Sequence, residues 1–245
     1  MSKPGLLETP QPPTPKVRVV VATREDRAGF LAGTATGRSL SLPHRPLHPV
    51  VEIYLQERNH EGLPAIYNRT IEASRTDPAV LVFLHDDFHL CDSYWAEQAV
   101  ASLADFQLVG LAGNRRRLPN QPSWASIDAK QTRDRAENLS GMVGYGKGFP
   151  PVSAGFYGPS RQEVKLLDGL MLIVHSDTLI AHDLRFDERF DFHFYDMDIC
   201  RQAEAKGLRM GTWPISVIHE SSGAAGLASE GWKAGYRAYL EKWGD

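Results

Sequence analysis

The chain has 245 residues, with 27 Lys and Arg against 30 Asp and Glu, a formal net charge of −3, and 42% hydrophobic residues. That is enough chain to bury a sizeable core and too apolar for a disordered one, and the near-neutral balance argues against a protein built around a nucleic-acid backbone. The two cysteines, Cys91 and Cys200, exclude a disulfide-stapled scaffold and a multi-cysteine zinc ribbon, and they fit a reducing, cytoplasmic setting.

Residues 1–15 read as a flexible, Pro-rich tail; it lacks the apolar core of a signal peptide, and no apolar run elsewhere is long enough to span a bilayer. Residues 16–245 read as one domain. Val17 to Ala22 is a continuous β-branched run, as expected of a strand buried on both faces. A helix over 25–39 follows, weakened by Gly33 and Gly37, then a Pro- and His-rich loop over 41–49. Val50 to Leu55 is a second strand. Pro64 opens a helix, Ala79 to Leu84 is a third strand, residues 93–104 a helix, and Gln107 to Ala112 a fourth strand. Strands alternating with helices predict an α/β fold with a mostly parallel central sheet flanked by helices. Ligands of such sheets bind beyond the carboxyl ends of the strands.

Residues 113–162 are rich in Gly, Pro, Arg and Asn, with Trp124, Tyr145, Phe149, Phe156 and Tyr157 interspersed. They read as a long loop, functional or mobile, and the sequence leaves open whether it is an ordered lid. Val164 to Val174 is a strand pair interrupted at Asp168-Gly169. Residues 196–206 form a helix, Met210 to Ile218 the last strand, and 229–242 a helix with an aromatic stripe of Trp232, Tyr236, Tyr239 and Trp243, which reads as core packing.

Four groups carry chemistry. His85-Asp86-Asp87 follows a hydrophobic strand directly; adjacent carboxylates repel unless a cation or donor set compensates, so the triplet is either a site for a hard divalent cation or a polar strand end with one Asp capping a helix. Asp168 lies in an apolar run, where a carboxylate needs a partner or a cleft, and Gly169 allows close backbone approach. The stretch from Asp187 to Asp198 mixes acids, His193 and aromatics; Asp196 and Asp198 cannot both cap the next helix, which leaves one as a potential general base. His219 closes the last strand, as a structural side chain or a neutral metal ligand.

The ordered set VRVVVATR, LVFLHDDF, LLDGLMLIV, FDERFDFHFYDMDICRQAEAKGLRMG and VIHESSG resembles bacterial glycosyltransferases of the GT-A fold, family-2-like, over roughly residues 16–223. The resemblance implies a nucleotide-binding half at 16–112 and an acceptor-side half at 163–245. It places Thr23, Arg24 and Glu25 against the base or ribose and Asp86 against the sugar or ribose. Asp87 and His219 become ligands of Mn²⁺ or Mg²⁺, Asp168 and Gly169 shape the sugar and acceptor pocket, and Tyr195-Asp196 matches a Glu-Asp pair whose Asp is the catalytic base. The implied reaction is transfer from a nucleotide-sugar donor to a glycan, lipid-linked or protein acceptor, with inversion. The chain departs from the family pattern in three places: His85 replaces the first Asp of the metal motif, Tyr195 replaces the Glu before the base, with Asp198 and Asp191 competing for that role, and the loop at 113–162 matches nothing residue by residue.

Three other readings compete. His85-x-Asp87 with a distant His219 has the outline of a non-haem iron oxygenase triad, although such enzymes generally use a β-sandwich. A non-catalytic binding or scaffold protein on the same fold is the second. A sugar-nucleotide nucleotidyltransferase is the third, disfavoured because ATREDRAG lacks the Gly-rich loop that cradles a triphosphate.

Overall fold

The computed structural model describes residues 15–42, 49–220 and 229–244. Residues 1–14 of the expected tail, most of the loop at 41–49, and Ser221 to Gly223 after His219 lie outside the described residues.

The N-terminal half begins with β1 (Lys16–Ala22), followed by two short helices, α1 (Arg27–Gly33) and α2 (Ala35–Leu40), in place of the single helix expected. The split is local chemistry. Asp26 Oδ1 accepts from the Gly29 N–H at 2.9 Å and Thr34 Oγ1 from the Gly37 N–H at 3.0 Å, so each helix has its own N-cap. Next come β2 (Val50–Gln56), α3 (Leu63–Ala73) with Pro64 in its first turn, β3 (Val80–Leu84), β4 (Phe88–Leu90), α4 (Trp95–Ser102), β5 (Leu108–Gly110) and β6 (Ala112–Asn114).

The segment expected as a loop at 113–162 carries β7 (Leu139–Tyr145) and β8 (Ser153–Gly158), paired antiparallel. The remainder is β9 (Glu163–Val164), β10 (Leu166–Leu167), β11 (Met171–His175), α5 (Ser176–Ala181), α6 (Tyr195–Ala205), β12 (Met210–Thr212), β13 (Val217–His219) and α7 (Glu230–Trp243). No helix among the described residues is long and apolar enough to cross a membrane.

Two sheets organise these strands: β2-β1-β3-β11-β5-β12-β9, and β10-β6-β7-β13-β4 with β8 on β7. In the first sheet, β2-β1, β1-β3 and β5-β12 are parallel, while β3-β11, β11-β5 and β12-β9 are antiparallel. The parallel character is therefore only partial, because β11 runs against both neighbours in mid-sheet. Its core logic is the one expected. In β3, Val80, Val82 and Leu84 face one hydrophobic cluster and Leu81 and Phe83 the other, so a period of two with both faces buried yields a continuous apolar run.

The chain passes between the sheets at β3–β4, β4–β5, β5–β6, β8–β9, β9–β10, β10–β11 and β12–β13. The backbone leaves its ladder at such points, and side chains there are released from the strand pleat. His85-Asp86-Asp87 occupies the β3–β4 crossing and Asp168-Gly169 the β10–β11 crossing.

Candidate active site

The pairing of β13 with β4 puts His219 opposite Phe88, and the Glu220 N–H donates to the Asp87 carbonyl at 2.9 Å. His219 Nε2 thereby comes within 3.2 Å of Asp87 Oδ2 across 132 residues of sequence. His85 completes the group: one ligand atom from each of His85, Asp87 and His219 lies within 4.8 Å of the others. The two expected ligands are brought together, and His85, weighed only for the iron reading, joins them. Burial pushes the His85 imidazole down to about 4, so it is neutral near pH 7, the form a ligand requires. Two neutral-capable imidazoles and a carboxylate fit a divalent transition metal, and Mn²⁺ better than the all-oxygen preference of Mg²⁺. The same donor set served the iron reading, but the scaffold is not a β-sandwich.

Asp168 and Asp196 face the same cavity as this cluster, a recess of about 390 Å³. Asp196 is the second residue of α6; its Oδ2 accepts from the Gly169 N–H at 3.0 Å and its Oδ1 from the Met197 N–H at 2.8 Å. Loss of hydration in the recess, reinforced by the neighbouring Asp168 carboxylate, pushes Asp196 up to about 7. Burial also raises Asp168, which is anchored by the Leu170 N–H at 3.3 Å. Gly169 is required by packing: a Cβ there would lie 2.5 Å from Tyr195 Oη and 2.8 Å from the Asp196 Cβ. The close approach expected of a ligand at Gly169 is made instead by Tyr195 and Asp196.

Asp198 and Asp187 of that stretch have structural partners, while Asp191 lines a separate cavity. Asp198 is fully buried and meets Lys242 Nζ at 2.7 Å, Gln202 Nε2 at 2.7 Å and Trp243 Nε1 at 2.9 Å. Asp187 accepts from Arg189 and Lys242. Asp196 is left as the acid facing the metal-ligand cluster from α6.

Thr23, Arg24, Glu25 and Asp86 line a second cavity of about 640 Å³, together with Asn59, His60 and Asp191. Thr23 Oγ1 donates to Asp86 Oδ2 at 2.7 Å, while burial raises the Asp86 carboxyl. Phe192 lines both cavities and stacks on the His85 ring at 5.3 Å, so the two recesses meet at one aromatic side chain. Trp124, Tyr145 and Tyr157, noticed in the sequence only as aromatics of a loop, form a wall of the first cavity. Trp232 joins them, while its stripe partner Tyr239 is buried in the core.

A family model described as a glycosyltransferase-like family matches residues 38–222. The chain belongs to the glycosyltransferase-like family. No curated protein matches it in sequence. Among solved structures, GalNAc-T7 with UDP, GalNAc and Mn²⁺ superposes with a TM-score of 0.53 at 11% identity, covering 93% of this chain and 48% of that one. The chain thus spans about half the length of that structure. A197 from STIV aligns with a TM-score of 0.41 at 9% identity, over 81% of this chain and 82% of that one. The two-sheet architecture is that of GT-A glycosyltransferases, and the family and fold together support glycosyl transfer. The His85-Asp87-His219 cluster of this glycosyltransferase-like chain lies on the loop after β3 and at the end of β13, inside the matched segment.

Proposed function

We propose that the chain is a metal-dependent, inverting glycosyltransferase that moves a sugar from a nucleoside-diphosphate sugar to an acceptor hydroxyl. The observation that carries this reading is one cavity lined at once by His85, Asp87 and His219 and by Asp168 and Asp196. A metal-ligand set and a carboxylate with a pKa near neutrality are the two groups this chemistry needs.

In this reading Thr23, Arg24 and Glu25 hold the nucleoside and Asp86 the ribose or sugar. His85, Asp87 and His219 would hold Mn²⁺ or Mg²⁺, which would supply positive charge against the departing diphosphate. Asp168, Gly169 and Tyr195 shape the sugar pocket, with the aromatic wall of Trp124, Tyr145 and Tyr157 facing the acceptor. Asp196 takes the acceptor hydroxyl proton as the acceptor oxygen bonds to the anomeric carbon. The carbon–oxygen bond to the diphosphate breaks on the opposite face, and the nucleoside diphosphate leaves. A single displacement of this kind inverts the anomeric centre. The acceptor is a glycan, a lipid-linked group or a protein side chain.

The test is release of nucleoside diphosphate from a panel of nucleotide sugars. Asp196→Asn should lower turnover by about 10²- to 10⁴-fold while nucleotide binding persists. Unchanged turnover in that variant would overturn the assignment of the base.

A further inference from the structure

The β7–β8 hairpin has two chemically different faces. Toward the cavity, the Tyr145 and Tyr157 hydroxyls meet at 2.6 Å over Gly155, where a Cβ would lie 2.9 Å from Tyr157 Oη. On the outer face and the tip, Met142, Phe149, Val152 and Phe156 are 50, 78, 87 and 68% exposed. Strand register sets Met142 beside Phe156 and Gly144 beside Ala154, so the outer face is apolar along its length. Met142, Gly144 and Ala154 of this face line a cavity of about 280 Å³ together with Phe149, Pro151 and Pro214. Single exposed apolar side chains are ordinary, but four large ones on one hairpin mark a surface that meets something apolar.

The charge pattern identifies the class of partner. From Leu139 to Gln162 the sequence holds no Asp or Glu, and its charged residues are Lys147 and Arg161, both exposed. The exposed Arg133 lies over the Tyr157 ring at 4.5 Å and donates through Nη2 to the Phe156 carbonyl at 3.4 Å, at the edge between the two faces. An apolar tip bordered only by cations within this segment complements an anionic lipid surface, where apolar side chains enter the acyl boundary and cations stay among the headgroups.

We propose that the β7–β8 hairpin docks this chain on anionic lipid bilayers, with Phe149 and Val152 inserted and Lys147 among the headgroups. One hairpin would then have its outer face on the membrane and its inner face on the active-site cavity, so that docking places the cavity beside the bilayer surface. The inference stands independently of the donor and of the transferase chemistry.

The test is co-sedimentation of the full chain with vesicles of phosphatidylcholine alone or mixed with phosphatidylglycerol. The wild type should bind the mixed vesicles far better than the neutral ones, and added salt should weaken that binding. Phe149→Ser with Val152→Ser should lower partitioning at least about tenfold with an unchanged melting temperature. Lys147→Glu should weaken binding to mixed vesicles alone. As a check that does not remove the patch, Phe149→Trp should gain fluorescence that brominated lipid quenches. Failure of the wild type to bind mixed vesicles, equal binding by the double variant, or unquenched Trp emission would overturn the proposal. A wild-type dimer that the double variant disperses, with no vesicle binding, would assign the patch to a second copy and overturn it as well.

Discussion

The Tyr195 hydroxyl lies 2.9 Å from His85 Nε2 and donates its hydrogen to the Gly169 carbonyl at 2.8 Å. A phenol has one hydrogen to give, so its oxygen accepts from His85 Nε2–H, and Nδ1 becomes the lone-pair nitrogen. Tyr195 thus fixes the tautomer of a residue in the candidate metal-ligand cluster, the task that an outer partner performs for a ligating histidine. Tyr195→Phe should weaken Mn²⁺ binding by about 10- to 100-fold, measured by calorimetric titration without substrate. Equal affinity in the variant would show that His85 does not depend on this contact.

Asp196 gives a pH signature of definite sign. Its carboxyl is raised from 3.8 to about 7 in the fold, so between those values the native chain keeps a proton that the unfolded chain has released. Each increase in pH across that window favours the unfolded state, and the destabilisation is complete above about 7. The wild-type melting temperature should therefore fall more steeply from pH 5 to pH 8 than that of Asp196→Asn, by on the order of a few degrees. Turnover should move the other way, rising with pH through about 7 as the base ionises. Parallel stability curves for the two proteins would remove the buried-base assignment.

Gly169→Ala tests the packing beneath the site. The new methyl would lie 2.5 Å from Tyr195 Oη and 2.8 Å from the Asp196 Cβ, so both side chains must shift. A loss of about 1–3 kcal/mol in urea unfolding is expected, accompanied by weaker Mn²⁺ binding through Tyr195 and His85. A stable variant with normal metal affinity would mean that this region tolerates the displacement.

Asp198 is the contrasting acid. It is fully buried and holds Lys242 and Trp243 of α7. Asp198→Ala should destabilise the chain by about 3 kcal/mol, because it removes one of the two carboxylates paired with the half-buried Lys242 ammonium, yet spare the pH response of turnover. Loss of turnover in a fully stable Asp198→Ala protein would move the base to that position.

Much of this was legible in the sequence, and the exceptions share a cause. The runs in β1 and β3 read as strands buried on both faces, Asp87, Asp168 and His219 stand out as polar groups at the ends or breaks of such runs, and Asp196 as a surplus acid at a helix start. Residues 107–112 and 210–218 read as single strands, although each is divided between two sheets. The reason is that Val109, Leu111 and Ala112, like Trp213, Ile215 and Val217, all pack in one cluster, so hydropathy continues straight through the crossing. The antiparallel direction of β11 was hidden similarly, since a strand buried on both faces has the same pattern in either direction. His85 is read as a ligand only for iron, and in the glycosyltransferase reading only as a departure from a motif. Its place is set by the β4–β13 pairing and by Tyr195, both remote in sequence.

The measurement that bears most directly on the central claim is a thermal shift with Mn²⁺ or Mg²⁺ crossed against UDP, GDP, CMP and dTDP, on wild type and Asp87→Ala. A ligand that binds only the native state raises its stability by about 2.7 kcal/mol at a hundred times its dissociation constant. The account predicts a rise with one nucleotide that requires the metal, is larger with Mn²⁺ than with Mg²⁺, and is lost in Asp87→Ala. A folded wild type whose melting temperature no nucleotide and metal pair raises would contradict it.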